Sequence, residues 1–235
     1  MRFLTRRAPA HRHDKAFANL KGTIFIVTYG RSGSTLLQAL LMTIPGCTIR
    51  GENYNMLELL WKAAGRAQQA RSVWGKDAQP PDHPWFGADK VAPPAFADAL
   101  VDAFVLHVLA PPKQARWFGF KEIRYDALGD NFPEMLDFMR ASFKNATFVF
   151  NARVAADVAA SAWWKNWKPE KVAALVATMD KRFADYAAAH PECCFQTRYE
   201  DFSTDPQALR PLFDKLGEPF DQDAIKAILS HRLTH

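Results

Sequence analysis

Arg31, Ser32, Gly33, Ser34 and Thr35 sit in the stretch Thr28-Tyr29-Gly30-Arg31-Ser32-Gly33-Ser34-Thr35. An apolar β-branched run, Ile24-Phe25-Ile26-Val27, precedes it, and an apolar helical segment, Leu36 to Ile44, follows. A strand, a small-residue turn and a helix start make an anion cradle. Gly30 and Gly33 permit a tight turn, and the N–H groups at the helix start point at an anion such as a phosphate. Ser32, Ser34 and Thr35 add hydroxyl donors, and Arg31 adds a full positive charge. The loop is not a Walker A sequence, which needs a Lys before its last hydroxyl residue; Ser34 follows Gly33 here and the loop holds no Lys.

A second anion site is suggested by Arg153, at the end of the strand-like Phe148-Val149-Phe150-Asn151, and Ser161, eight residues later. If a helix begins at once, the two lie about two turns apart and clasp one phosphate from two sides. Lys121 and Arg124 belong to Phe118-Gly119-Phe120-Lys121-Glu122-Ile123-Arg124, a strand leading to the same edge. Glu52 lies just after a second predicted strand. It is read either as a general base, its pKa raised by desolvation, or as a cap for the helix starting near Asn53. His83, in His-Pro-Trp-Phe, is a rival base. Glu122 alternates with Lys121 and is expected to face away from it. On the substrate side the candidates are His83, Trp85 and Arg124. No His or Cys cluster has metal-ligand spacing, so no metal is expected.

The positioning elements are short apolar strands alternating with longer helical segments. Strands are predicted at 23–29, 47–50, 117–123, 147–151 and 194–199. Helices are predicted at 34–44, 53–70, 95–109, 132–143, 155–164, 170–189, 206–216 and 221–229. That alternation predicts an α/β fold, a mainly parallel sheet flanked by helices, with the candidate loops gathered at one edge. Between 71 and 94 five prolines interrupt the pattern. This insertion is read either as a lid or as a surface loop anchored by Trp74, Trp85 and Phe86. Residues 1–20 read as a basic, solvated N-terminal arm and 21–235 as one domain.

A chain of 235 residues with 49% hydrophobic residues supports one sizeable core. The net charge of +5 suits an anionic ligand without requiring nucleic acid. No apolar run is long enough for a membrane span or a signal peptide, and Cys47, Cys193 and Cys194 form no obvious disulfide framework. The expectation is a cytoplasmic protein of undetermined oligomeric state.

Arg31-Ser32-Gly33-Ser34-Thr35, the Arg153/Ser161 spacing and Arg198-Tyr199-Glu200-Asp201-Phe202 together resemble the signatures of the PAPS-dependent sulfotransferases. Gly30 stands where many members have Pro, and the C-terminal Arg-Lys-Gly loop of the cytosolic animal enzymes has no counterpart. The chain is therefore more similar to bacterial, carbohydrate and tyrosylprotein sulfotransferases. The resemblance implies a P-loop-like three-layer fold and 3′-phosphoadenosine 5′-phosphosulfate (PAPS) as donor, with adenosine 3′,5′-bisphosphate as product. It implies that Arg31 to Thr35 hold the 5′-phosphosulfate, Arg153 and Ser161 the 3′-phosphate, and Tyr199 the adenine side. Lys121 resembles the family's Lys near the leaving oxygen, and Glu52 the catalytic Glu of the tyrosylprotein enzymes. The acceptor implied is a hydroxyl compound, a glycan or a small molecule. Two rival readings are a kinase-like phosphotransferase, which needs a Walker Lys and a magnesium-binding Asp, and a non-catalytic nucleotide- or polyanion-binding module.

Overall fold

The computed structural model describes residues 11–230. Five strands form one sheet: β1 (Gly22–Val27), β2 (Cys47–Arg50), β3 (Trp117–Glu122), β4 (Ala146–Ala152) and β5 (Cys194–Arg198). Their order is β2-β3-β1-β4-β5, and every pairing is parallel. All six residues of β1 are buried, as a central strand covered on both faces requires. Nine α-helices are defined among the described residues: α1 (Ser34–Leu41), α2 (Met56–Trp74), α3 (Pro93–Phe104), α4 (Phe132–Ser142), α5 (Ala155–Ala159), α6 (Pro169–Ala189), α7 (Tyr199–Thr204), α8 (Arg210–Leu216) and α9 (Gln222–Ser230).

Side-chain alternation divides the core into two layers. Ile24, Ile26, Trp117 and Val149 meet Leu37 and Leu40 of α1, Phe213 of α8 and Ile225 of α9. On the other face Phe25, Phe118, Phe120, Phe148 and Phe150 meet Leu57, Phe104, Met139 and Phe183 from α2, α3, α4 and α6. Register pairs Phe25 with Phe120 and Phe148, with ring centroids 5.1 and 5.8 Å away. This is the three-layer α/β architecture expected, and it turns the C-terminal ends of all five strands to one edge.

Four local expectations are corrected. The helix predicted over 155–164 stops at Ala159; Ser161 is extended (φ −109°, ψ 135°) and a 3₁₀ turn, Ala162–Asn166, follows. Residues 199–204, given to a strand and a loop, form α7. The 71–94 insertion is shorter than expected, because α2 runs to Trp74 and α3 starts at Pro93, with a 3₁₀ turn at Ala88–Lys90 between them. Trp85 stacks on Trp74 (5.1 Å, 4°). Residues 11–20 are not a solvated tail: His13, Phe17 and Leu20 are buried, and Arg12 pairs with Asp98 and Asp102 of α3. Arg2, Arg6 and Arg7 lie outside the described residues. Among the described residues no helix is long and apolar enough to cross a membrane.

Candidate active site

The β1–α1 loop is built by its neighbours. Arg31 (φ 66°) and Gly33 (φ 77°) both occupy the left-handed region, a backbone shape that turns successive N–H groups to one side. Only glycine fits at 33: a Cβ there would lie 2.0 Å from the Tyr199 ring. Among the described residues, no acceptor meets the N–H groups of Gly33, Ser34 or Thr35. They remain free donors at the α1 N-terminus. Ser34 is buried and Thr35 exposed.

Ser32 departs from its expected role. It is fully buried and shares a hydrogen bond with Thr28 Oγ1 (2.7 Å), which donates to the Asn151 carbonyl (2.6 Å). Asn151 Nδ2 donates in turn to the Ser32 carbonyl (2.8 Å). Ser32 is thus directed inward and fastens the loop to β4. Trp164 Nε1 donates to the Gly30 carbonyl (3.1 Å), so this tryptophan is a second fastener of the loop.

Arg31, Arg153 and Ser161 come together. Arg31 Nε donates to Ser161 Oγ (2.9 Å), and Arg153 Nη1 donates to the Arg31 carbonyl (2.9 Å). The break after α5 is what turns Ser161 back to Arg31; a continuous helix would carry it away. Arg153 also lies 4.3 Å from the Tyr199 ring centroid, and its Nε is buried without a protein partner. Its backbone N–H donates to the Tyr29 hydroxyl (2.9 Å), which donates to Asp180 of α6 (3.0 Å). Burial pushes both the Tyr29 hydroxyl and the Asp180 carboxyl up.

Glu52, Lys121 and Arg124 form the second half. Lys121 Nζ lies 2.6 Å from Glu52 Oε1, and Arg124 Nη1 lies 3.0 Å from Oε2. Burial acts to raise the Glu52 carboxyl, but the hydrogen bonds and charges of Lys121 and Arg124 outweigh it and hold the pKa below the ordinary value. The expectation of a raised pKa is therefore wrong, because two cations face this carboxylate. Glu52 does not cap α2 either: the helix begins at Met56, whose N–H is met by Asn53 Oδ1 (3.0 Å). Arg124 also holds Glu122 (2.8 Å), and burial lowers its pKa less than these two carboxylates raise it.

Register sets Glu122 on the opposite face of β3 from Lys121, as expected, since Lys121 aligns with Ile26 and Glu122 with Val27. His83 remains within its own turn, its Nδ1 accepting from Trp85 N (3.1 Å), and the Trp85 ring lies on Trp74 of α2. Among the described residues no hydrogen bond or ion pair links either to Arg31, Glu52, Lys121 or Arg153. Sequence reasoning missed Thr28, Asn151 and Tyr29, whose only signal was their place at the ends of two adjacent strands. Among the described residues no group of three His, Cys, Asp or Glu side chains is placed to hold a metal ion.

Comparison with known proteins adds a family to this geometry. The sulfotransferase family model matches residues 23–222, which include both halves of the site. Among solved structures, a sulfotransferase from Alicyclobacillus acidocaldarius aligns with a TM-score of 0.45 and 18% identity, covering 84% of this chain and 81% of that chain. A comparison with curated proteins gave no match. The match over most of its length shows that the chain belongs to the sulfotransferase family.

Proposed function

We propose that the chain transfers a sulfuryl group from PAPS to a hydroxyl acceptor, a carbohydrate being one class that fits. The observation that carries this reading is the cluster of Arg31, Ser161 and Arg153, joined by hydrogen bonds at 2.9 Å beside the free N–H groups of α1. The buried, unpartnered Nε of Arg153 and the unmet donors of Gly33 to Thr35 fit a ligand with two anionic groups.

When bound, PAPS supplies an activated sulfuryl group on a phosphate leaving group. Arg31, Ser34, Thr35 and the loop N–H groups would hold the phosphosulfate end. Arg153 and Ser161 would hold the 3′-phosphate, with Tyr199 on the adenine side. Glu52 takes the acceptor's proton at a carboxylate oxygen. Because Lys121 and Arg124 hold its pKa down, Glu52 is a weak base. It therefore accepts the proton as the new bond forms, not beforehand. Lys121 supplies positive charge, and a proton for the departing oxygen, 2.6 Å from that carboxylate. Most of the rate enhancement then comes from positioning and fixed charge.

The test compares adenosine 3′,5′-bisphosphate with ATP and magnesium by thermal shift, followed by transfer assays with labelled PAPS across acceptor classes. The bisphosphate should give the larger shift. A preference for ATP with magnesium would overturn the reading in favour of a phosphotransferase. Glu52→Gln should keep bisphosphate binding and lose transfer.

A further inference from the structure

Glu122 has no part in the chemistry above, yet it is fully buried at the end of β3 with both carboxylate oxygens engaged. Oε1 accepts from Ile123 N (2.8 Å) and Arg124 Nη1 (2.8 Å). Oε2 accepts from Asn53 N (3.2 Å) and Asn55 N (2.8 Å). Its backbone carbonyl accepts from Thr28 N (3.3 Å), at the start of the anion-binding loop. One residue therefore touches the segments that follow β1, β2 and β3.

The turn it holds is strained. Tyr54 (φ 62°) and Asn55 (φ 53°) are consecutive left-handed residues, a conformation non-glycine residues adopt only when their surroundings impose it. Glu122 accepts from N–H groups on either side of Tyr54. Tyr54 is 84% exposed, and its ring centroid lies 4.8 Å from the Arg124 guanidinium, which is itself on Glu52. An aromatic ring is thus held out to solvent two residues from the candidate base.

We infer that Glu122 is a positioning residue: it fixes the Glu52–Asn55 turn and Arg124 as one unit, so that Glu52 and the Tyr54 ring meet the acceptor in a set orientation. Four N–H donors converge on the two oxygens. A carboxylate satisfies all four, whereas an amide of the same shape turns an NH₂ group toward one pair of donors. Glutamine keeps its oxygen on the charged Arg124 donor and turns its NH₂ group toward Asn53 and Asn55, so it releases the turn. Aspartate, on a shorter stem, keeps the charge and both acceptors. A role in packing alone predicts the opposite ranking, because glutamine conserves the volume.

The inference rests on the sulfuryl-transfer reading for its kinetic consequence but not for its structural one. The experiment compares Glu122→Gln, Glu122→Asp and wild type by amide exchange, by calorimetry with adenosine 3′,5′-bisphosphate, and by transfer from labelled PAPS to the acceptor most active with wild type. In the Gln variant the Asn53 and Asn55 amides should exchange at least about 10-fold faster while β1 and β4 keep their protection. Bisphosphate affinity should stay within about 3-fold, and kcat should fall about 10- to 100-fold, the scale of a small misplacement of a reacting group. The Asp variant should retain more turnover than the Gln variant. Unchanged exchange at Asn53 and Asn55, Gln outperforming Asp, or bisphosphate binding lost in step with kcat would each overturn the proposal. If the Gln variant does not fold, Arg124→Gln, at a half-exposed site, should give the same drop in kcat with bisphosphate affinity kept; full turnover would refute the inference. If wild type neither binds bisphosphate nor transfers sulfate, the sulfotransferase chemistry fails, while the exchange result still decides what Glu122 holds.

Discussion

Replacing Arg153 with alanine separates the contribution of a 3′-phosphate from the rest of nucleotide binding. The backbone at 153 is anchored independently, by its N–H on the Tyr29 hydroxyl at 2.9 Å, so the substitution removes the side chain without freeing the strand end. What is lost is the guanidinium over Tyr199 (4.3 Å), the bond to the Arg31 carbonyl, and the buried Nε that has no protein partner. The stacking contributes about 0.5–1 kcal/mol, a modest cost in stability. Hydrogen bonds to a charged phosphate contribute about 1.5–3 kcal/mol, or roughly 10- to 100-fold in Kd. Calorimetry with adenosine 3′,5′-bisphosphate should show that loss, whereas adenosine 5′-monophosphate, which lacks the 3′-phosphate, should lose no more than about 3-fold by the same scale. An equal loss for both ligands would mean that Arg153 acts only by supporting the loop. No loss for either would remove it from the site.

Gly33→Ala should cost at least about 1 kcal/mol, from a left-handed backbone at φ 77° and a Cβ placed 2.0 Å from Tyr199, and should weaken bisphosphate binding; a melting curve and a titration check both parts. Trp164→Phe removes the bond to the Gly30 carbonyl and should lower stability by about 1 kcal/mol, measured by urea unfolding. His83→Ala should leave kcat and bisphosphate affinity unchanged, since its ring nitrogen serves only its own turn; a drop in kcat would bring the insertion into the site. The Glu52 carboxyl sits below its ordinary value of 4.5, so its ion pairs stabilise the fold above that pH and the stability is lost as pH falls through the lower, folded value. Melting temperatures of wild type and Glu52→Gln from pH 5 to pH 3 should converge toward the acid end, and parallel curves would refute this account.

The strands and most helices were legible because burial writes them directly: β1, β3 and β4 are short runs buried on both faces, and β2 matches its predicted span, Cys47–Arg50. The chemistry-bearing loop was legible for the same reason, since a small-residue turn between strand and helix has few other structures open to it. What escaped was set by contacts distant in sequence. α5 ends at Ala159 where no proline or glycine warns of it, and Ser161 turns back to meet Arg31 across 130 residues. The inward role of Ser32 depends on Thr28 and on Asn151, which reaches it only because β4 lies beside β1. The pKa of Glu52 was misjudged in the same way. Its sequence neighbours, Gly51 and Asn53, suggest a carboxylate without partners, whereas the two cations that hold it arrive from β3 and the residues just after it.

That last correction changes how the site has to work. A carboxylate raised by burial would be the stronger base, and the pH–rate profile would carry an acidic limb above 4.5. A carboxylate held between Lys121 and Arg124 is already ionised near neutrality and binds a proton weakly. In the proposed base role, Glu52 depends on the proton and the sulfuryl group moving together, and on the acceptor hydroxyl being fixed against it. On that proposal, rate comes less from basicity than from geometry, and the geometry is maintained by groups outside the reacting pair. Glu122 holds the turn that carries Glu52, and the Thr28–Asn151 and Trp164–Gly30 bonds hold the loop that carries Arg31. Glu122, Thr28 and Asn151 lie at the carboxyl ends of the neighbouring parallel strands β3, β1 and β4. A displacement of one set of supports relative to the other requires sliding the β1–β3 ladder, which the buried Phe25–Phe120 pair resists.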